Sequence, residues 1–459
     1  MKRRLPMLGI IAAWLAAATS SVVTVAGAPR SSLPSRENAK VVLNTTTRHR
    51  EWVTLPVGSA SIGSSSMLAF VVYPERTDKA GVVVVSARNE GASEWARAIA
   101  DQLAAEGFIA IVPDAGSDHG LDEIARRNDA ARTYATALPA ANGRSALLNV
   151  DGTLTSEAWP QIVHPLSSAT GNPFEDHSAH LAMMAAAQQP GGGAPSRVVP
   201  GLGEKKPDMP ASYYTATATL ARSKLRREWV DIPLGPGSDA KLHTWIEYPE
   251  GNNKAGVVIV MQHGVGLDDW MRSVADQLAL QGFIAVAPDI WSGTGPNGEN
   301  RDAFKFPDDA MRAAAGKINA EETQRRYKAA RDYALKLPRA NGRTGSIGFC
   351  AGGGSSFRFA ADVPELNAAV VFYGTPPAEE FMAKIRAPVL GFYGENDARV
   401  TATVEPTIAL MKKLGKSYEP HIYQKVTHSF VYFQDLGANM DAVADAWPRV
   451  ITFYNQHLK

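Results

Sequence analysis

One cysteine occurs in 459 residues, in Gly345-Ser346-Ile347-Gly348-Phe349-Cys350-Ala351-Gly352-Gly353-Gly354, an apolar run that breaks into small residues. The stretch reads as strand, nucleophile and helix. A nucleophile projecting from a strand end sits on a sharp turn that leaves room only for small residues two positions before and after it. Gly348 and Gly352 hold those places. A helix starting near Ser355 would aim its N-terminal amides at the sulfur and favour the thiolate, the form that attacks carbonyls. Downstream, Gly394-Glu395-Asn396-Asp397 offers Asp397 as an orienting carboxylate, with Glu395 its rival, and Val426-Thr427-His428-Ser429-Phe430 offers His428 as the base. The oxyanion made by attack needs fixed donors, one after the nucleophile and one on the loop after an early strand. Ala351 and Gly264, the latter in Gln262-His263-Gly264-Val265-Gly266, supply these.

These groups need a scaffold, and the chain shows one twice. Arg50-Glu51-Trp52-Val53 recurs as Arg227-Glu228-Trp229-Val230, and Tyr73-Pro74-Glu75 as Tyr248-Pro249-Glu250. The run from Lys79-Ala80-Gly81 to Pro113-Asp114 recurs from Lys254-Ala255-Gly256 to Pro288-Asp289. Each copy alternates continuous apolar strands with amphipathic helices, the pattern of a mostly parallel sheet covered on both faces. The copies lie 175 residues apart at Lys79 and Lys254 but 199 apart at Asn142 and Asn341, so the second carries 24 more residues after Asp289. That excess, with Trp291, Phe304 and Phe306, is expected as a wall or lid over Cys350, because insertions at the carboxyl ends of strands overlie the site in such sheets.

The copies then part. Asp151 stands where the second copy has Cys350, but Asn149 and Thr153 replace both elbow glycines, and no counterparts of the final strands are recognisable. The first copy therefore reads as degenerate and non-catalytic. His177 and His180 are spaced like metal ligands but lack further partners, and read as a solvated helix start. The expected organisation is a signal peptide over 1–26, a degenerate repeat over 48–187, a linker over 188–222 and a catalytic domain over 223–459. The signal rests on Lys2, Arg3 and Arg4 before an apolar stretch with small residues after it, with cleavage at Ala26 or Ala28, and implies a secreted or periplasmic protein. No second span of membrane length follows it, so no stable membrane span is expected after cleavage. Balanced charge, 47 Lys plus Arg against 46 Asp plus Glu, with no basic stripe, argues against nucleic-acid binding. One thiol in an exported chain makes no internal disulfide, which favours a chemical role for Cys350.

Nucleophile, acid and histidine in this chain order, each at a strand end, is the α/β-hydrolase order. From Lys254 onward the chain resembles the dienelactone hydrolase family, through Leu337-Pro338-Arg339-Ala340-Asn341-Gly342-Arg343, Gly348 to Gly353, Phe372-Tyr373-Gly374, Gly394 to Asp397 and His428-Ser429-Phe430. The resemblance implies an α/β-hydrolase-like fold after a partial degenerate repeat of the same fold, with Cys350 as nucleophile, His428 as base and Asp397 as its partner. It implies no cofactor and no metal. Two positions depart from the family. His263 stands where a glutamate commonly lies beside the cysteine, and Tyr432 replaces the arginine four residues past the histidine that holds a substrate carboxylate. Arg399 or Arg358 would be the substitute; His263, Trp291, Arg399 and Tyr432 are the candidate substrate-binding residues. The expected function is hydrolysis of a small-molecule ester or lactone through an acyl-enzyme, the alternative a non-catalytic exported binding module on the same fold.

Overall fold

The computed structural model describes residues 33–58, 65–87, 91–114, 121–150, 154, 159–172, 208–213, 215–235, 239–434 and 438–459. The expected signal peptide, Asp151 and the segment with His177 and His180 lie outside them, as does most of the expected linker.

The first half is built from α1 (Ala39–Thr45), β1 (Arg50–Val57), β2 (Ser65–Val72), β3 (Ala80–Ser86), α2 (Glu94–Ala105), β4 (Ile109–Pro113), α3 (Leu121–Thr136), β5 (Ala141–Asn149) and α4 (Trp159–Thr170). Its sheet runs β1-β2-β4-β3-β5, antiparallel through β1, β2 and β4 and parallel from there. The second half adds α5 (Ala216–Arg222), β6 (Arg227–Pro233), β7 (Lys241–Glu247), β8 (Ala255–Met261), α6 (Asp269–Leu280), β9 (Ile284–Pro288), α7 (Pro307–Ala315), α8 (Ala320–Ala334), β10 (Ala340–Phe349), α9 (Ala351–Asp362), β11 (Ala368–Phe372), α10 (Glu379–Met382), β12 (Val389–Gly394), α11 (Ala398–Thr401), α12 (Val404–Lys413), β13 (Tyr418–Tyr423) and α13 (Ala438–Leu458). Its eight strands run β13-β12-β11-β10-β8-β9-β7-β6, so β6-β7-β9-β8-β10 repeats the order of the first sheet.

Strand alternation divides the second core into two layers. Val258 and Val260 of β8 face Trp270, Phe349 and Trp447, while Val257, Ile259 and Met261 face Tyr327, Phe357 and Phe359. Every β8 residue is buried, the signature of a central parallel strand covered on both faces. Each layer removes well over ten large apolar side chains from water at roughly 1.5–3 kcal/mol apiece, enough to hold the strand ends as a fixed platform.

The correspondence between halves extends further than the sequence shows. The Trp95 indole donates to Pro34 O and the Trp270 indole to Ala211 O, both at 2.9 Å, with α1 and α5 at matching places. Gly81 and Gly256 admit the last turns of α4 and α13, since a Cβ at either would meet Thr170 Cβ at 2.3 Å or Leu458 Cβ at 2.7 Å. Asn142 Nδ2 donates to Thr170 O at 2.9 Å, and Asn341 Nδ2 to Leu458 O at 2.8 Å. The first half thus keeps the opening five strands and a counterpart of the closing helix, and β5 ends its sheet where the second continues to β11.

Two expectations change. The structured repeat starts upstream of residue 48, with α1. Residues 208–222, expected within the linker, are built into the second half: Gln434 Nε2 donates to Pro210 O at 3.0 Å, and Thr217 Oγ1 to Asp269 Oδ2 at 2.6 Å. The insertion after Asp289, expected as a wall or lid, touches both halves. Arg301 Nε donates to Val265 O at 2.6 Å, and α7 packs on β1 and α1 of the first half. Asp309 pairs with Lys40 at 3.0 Å and Arg312 with Asp114 at 2.5 Å. The insertion clamps the two halves together.

Candidate active site

Strand β10 lies between β8 and β11, with Gly348 opposite Met261 and Phe349 opposite Phe372. It ends at Cys350, whose φ of 56° and ψ of −117° lie outside the ordinary regions for a side-chain-bearing residue. Such a conformation costs on the order of 1–3 kcal/mol and persists only where its surroundings over-determine it. Here Cys350 N donates to Phe372 O at 3.1 Å. The flanking glycines allow the bend, because a Cβ at Gly348 would meet Gly352 O at 1.8 Å and one at Gly352 would meet Met261 O at 2.2 Å. Helix α9 begins at Ala351, one residue beyond the sulfur, so its positive end faces the thiol.

Asp397 follows β12 as the residue before α11, and His428 sits on the loop after β13; both are buried. His428 Nδ1 lies 2.5 Å from Asp397 Oδ2, leaving Nε2 for Cys350, whose sulfur has a His428 ring nitrogen within 4.8 Å. Glu395, the rival acid, instead accepts from Lys425 N at 2.9 Å near the surface. Ala351 opens α9, and Gly264 lies on the loop between β8 and α6.

A residue that sequence reasoning missed completes the cluster. His49, immediately before β1 of the first half, places Nδ1 3.2 Å from Cys350 Sγ, across 301 residues of chain. Tyr73 N donates to His49 O at 3.0 Å, extending the β1–β2 ladder by one rung and pointing the ring out of its end. The imidazole packs 5.1 Å from the Tyr73 ring and 4.5 Å, edge-on, from the His428 ring. Behind it, Glu51 Oε1 accepts from Tyr73 OH at 2.7 Å and lies 3.9 Å from His49 Nε2, and the Arg399 guanidinium sits 4.8 Å over the Tyr73 ring. A second contact seals the joint, Ala398 N donating to Arg76 O at 2.8 Å. The one hint in the sequence is position: His49 directly precedes the repeated Arg-Glu-Trp-Val block, where the second copy has Arg226.

The charges are mutually supporting. Burial would push the Cys350 thiol up, but His49 and then His428 hold it well below the ordinary thiol range. Burial disfavours a charged His428, yet Asp397 and Cys350 push it up to about 9. Burial acts against Asp397 as well, and His428 more than offsets it, keeping the carboxyl below its usual range. The two shifts reinforce each other, each group favouring the charged form of its neighbour. Glu51 is also held low, with His49 and Arg399 outweighing burial. His49, Cys350 and His428 offer donors within 4.8 Å of one another, the one such three-residue group among the described residues, and a set chemically suited to a soft divalent ion.

The candidate substrate residues separate. His263 Nε2 lies 3.3 Å from Asp268, the N-cap of α6, and its ring packs against Trp270 and Tyr432 at 5.1 and 4.9 Å, making an aromatic wall in the layer that contains Cys350. Beside the sulfur stands His49, not His263. Trp291 packs into the opposite core layer, against the α8 side of the sheet, so its expected place over Cys350 is not where the fold puts it. Arg399 faces Tyr73 and Glu51 of the first half, and Arg358 pairs with Asp362 on α9 at 2.8 Å.

The family described as Dienelactone hydrolase family matches residues 242–458. Among curated relatives, "Putative carboxymethylenebutenolidase" of Saccharolobus solfataricus is 28% identical over 244 residues, covering 47% of this chain and 93% of the relative. "Protein usf" of Aquifex pyrophilus is 30% identical over 212 residues, covering 44% of this chain and 88% of its own. Among solved structures, a dienelactone hydrolase from Anabaena variabilis aligns at a TM-score of 0.41 and 20% identity, over 52% of this chain and all of that one.

Proposed function

Since the chain belongs, through residues 242–458, to the dienelactone hydrolase family, we propose that this hydrolase of ester or lactone bonds works through a Cys350–His428–Asp397 relay and an acyl-enzyme. One observation carries the reading: Cys350, on a strained elbow at a helix N-terminus, stands beside a histidine whose far nitrogen is 2.5 Å from a buried carboxylate. The thiolate attacks the carbonyl carbon and the Ala351 and Gly264 amides receive the oxyanion. The C–O bond then breaks as His428 Nε2 gives its proton to the departing alkoxide. His428 next takes a proton from water, the hydroxide attacks the thioester, and thiolate and acid leave. Asp397 keeps the imidazole in the tautomer and orientation both steps need.

The substrate is an uncharged ester or lactone. Tyr432 gives no fork for a carboxylate, and Arg399 is engaged electrostatically by Glu51 and Tyr73. The basic, apolar and small-residue N-terminus marks export to the periplasm or medium; among the described residues, no helix is long and apolar enough to cross a membrane.

The test is hydrolysis of a chromogenic short-chain ester by the full chain, before and after thiol alkylation, with Cys350→Ala beside it. Activity should vanish in both treated samples, and a neutral ester should exceed a carboxylated analogue of equal leaving group in kcat/KM. Wild-type turnover by Cys350→Ala would refute the mechanism, and a tenfold preference for the carboxylate would refute the substrate class.

A further inference from the structure

We propose that His49, carried by the first half, is a catalytic residue of the second: it donates a hydrogen bond from Nδ1 to the Cys350 thiolate, so the active site is complete only when the two halves are joined. The proposal rests on Cys350 being the nucleophile. His49 is buried with its Nδ1 3.2 Å from Sγ, and a deprotonated sulfur has no hydrogen to give, so the shared hydrogen belongs to the imidazole. The ring is held from behind by the ladder bond to Tyr73 and by the Glu51–Tyr73 pair, a buttress anchored entirely in the first sheet.

The sulfur is faced by His49, by His428 from the loop after β13, by the Tyr373 phenol just past β11 and by Arg399 on α11. His49 is faced by Glu51, Tyr73, His428 and Asp397. Among them, His49 makes the hydrogen bond to Sγ, and together with His428 it outweighs burial in holding the thiol low.

This division of labour suits two steps of the reaction. On attack, Sγ forms its bond to the carbonyl carbon and gives up the hydrogen bond from His49, whose proton stays on Nδ1. On deacylation the carbon–sulfur bond breaks, the electron pair returns to Sγ, and His49 receives the leaving thiolate. His428 alone shuttles the proton between alkoxide and water. A hydrogen bond to a charged acceptor is the strong kind, so its loss is felt at about one order of magnitude or more.

Because Cys350 is the sole cysteine, alkylation by iodoacetamide reports on one sulfur. The experiment compares wild type, His49→Ala and His49→Asn, all full-length and matched by circular dichroism and thermal midpoint. It measures the pH profile of alkylation and kcat/KM for a neutral ester, with and without EDTA. The Asn amide nitrogen falls close to the position of Nδ1 and retains a donor there. His49→Ala should move the thiol's titration to higher pH, slow alkylation near pH 6 by about tenfold or more, and lower kcat/KM by a similar factor; His49→Asn should recover part of both. If His49→Ala leaves both readouts within twofold, or raises kcat/KM as removal of a plug would, the proposal is overturned. A requirement for added zinc, or loss of activity in EDTA, would overturn it in favour of chelation by the same side chains. Failure of the nucleophile assignment shows separately, as ester hydrolysis by Cys350→Ala, whereas the alkylation arm reads His49 whether or not an ester is turned over.

Discussion

At matched places in the two halves the same scaffold carries different side chains. Tyr73 and Glu51 form a hydrogen bond of 2.7 Å, and Tyr248 and Glu228 form the same bond at the same length. Two residues before that glutamate stands His49 in one and Arg226 in the other, where the arginine rests 3.5 Å from Glu228 and is well exposed. Likewise Asp101 of α2 meets Arg48 at 3.1 Å, while its counterpart Asp276 of α6 faces Glu247, which burial and that neighbour push up to about 8. An unchanged backbone device can thus point at solvent in one copy and at the Cys350 sulfur in the other. Among the described residues the first half shows no counterparts of β12 and β13, the strands whose following loops carry Asp397 and His428; what it presents to the second half is the edge that bears His49.

The strongest way to break the contrast is to give the second elbow the first half's residue. Gly348→Asn should cost about 3 kcal/mol or more and abolish hydrolysis, since its Cβ would collide with the Gly352 carbonyl; thermal unfolding and ester turnover check it. Next in size, Asp397→Asn should lower kcat by about 10²- to 10⁴-fold through the wrong histidine tautomer, while Glu395→Gln stays within about twofold. Steady-state rates that reverse this order would make Glu395 the partner of His428.

A smaller but sharper test is pH. With Cys350 held low and His428 pushed up to about 9, kcat/KM should be level through neutrality and fall as pH rises past about 9, where the imidazolium loses the proton it must donate. The stability sign agrees for His428: its folded value exceeds its unfolded one, so its contribution is full below about 6.5 and lost as pH rises through about 9. The smallest effect concerns the carboxyl pair. Glu247 also has a raised folded value, so the stability it confers is full below about 4.5 and lost as pH climbs through about 8. Glu247→Gln should flatten the thermal midpoint between pH 5 and 8 by a few degrees, read by thermal unfolding across that range.

Much of this was legible before any coordinates. The glycines around Cys350, the strand-end placement of Asp397 and His428 and the order of the three in the chain are local facts, and local sterics and strand periodicity dictate them. The recurring blocks were visible too, and the five strands of the first sheet share their order with β6-β7-β9-β8-β10. What the chain could not reveal is how one copy sits on the other. The closing helix of the first half shares no recognisable residues with α13, and its correspondence appears only as the same docking of a last turn against Gly81 and Gly256. The insertion after Asp289 has the composition of a lid, but its ion pairs with Lys40 and Asp114 bind it to the other half. His49 has no motif of its own: its meaning depends on a 3.2 Å contact across 301 residues, set by the packing of two sheets. Sequence patterns record what a segment does to its own backbone; which surfaces of two folded halves are complementary is decided by shape and charge that exist only once both have formed.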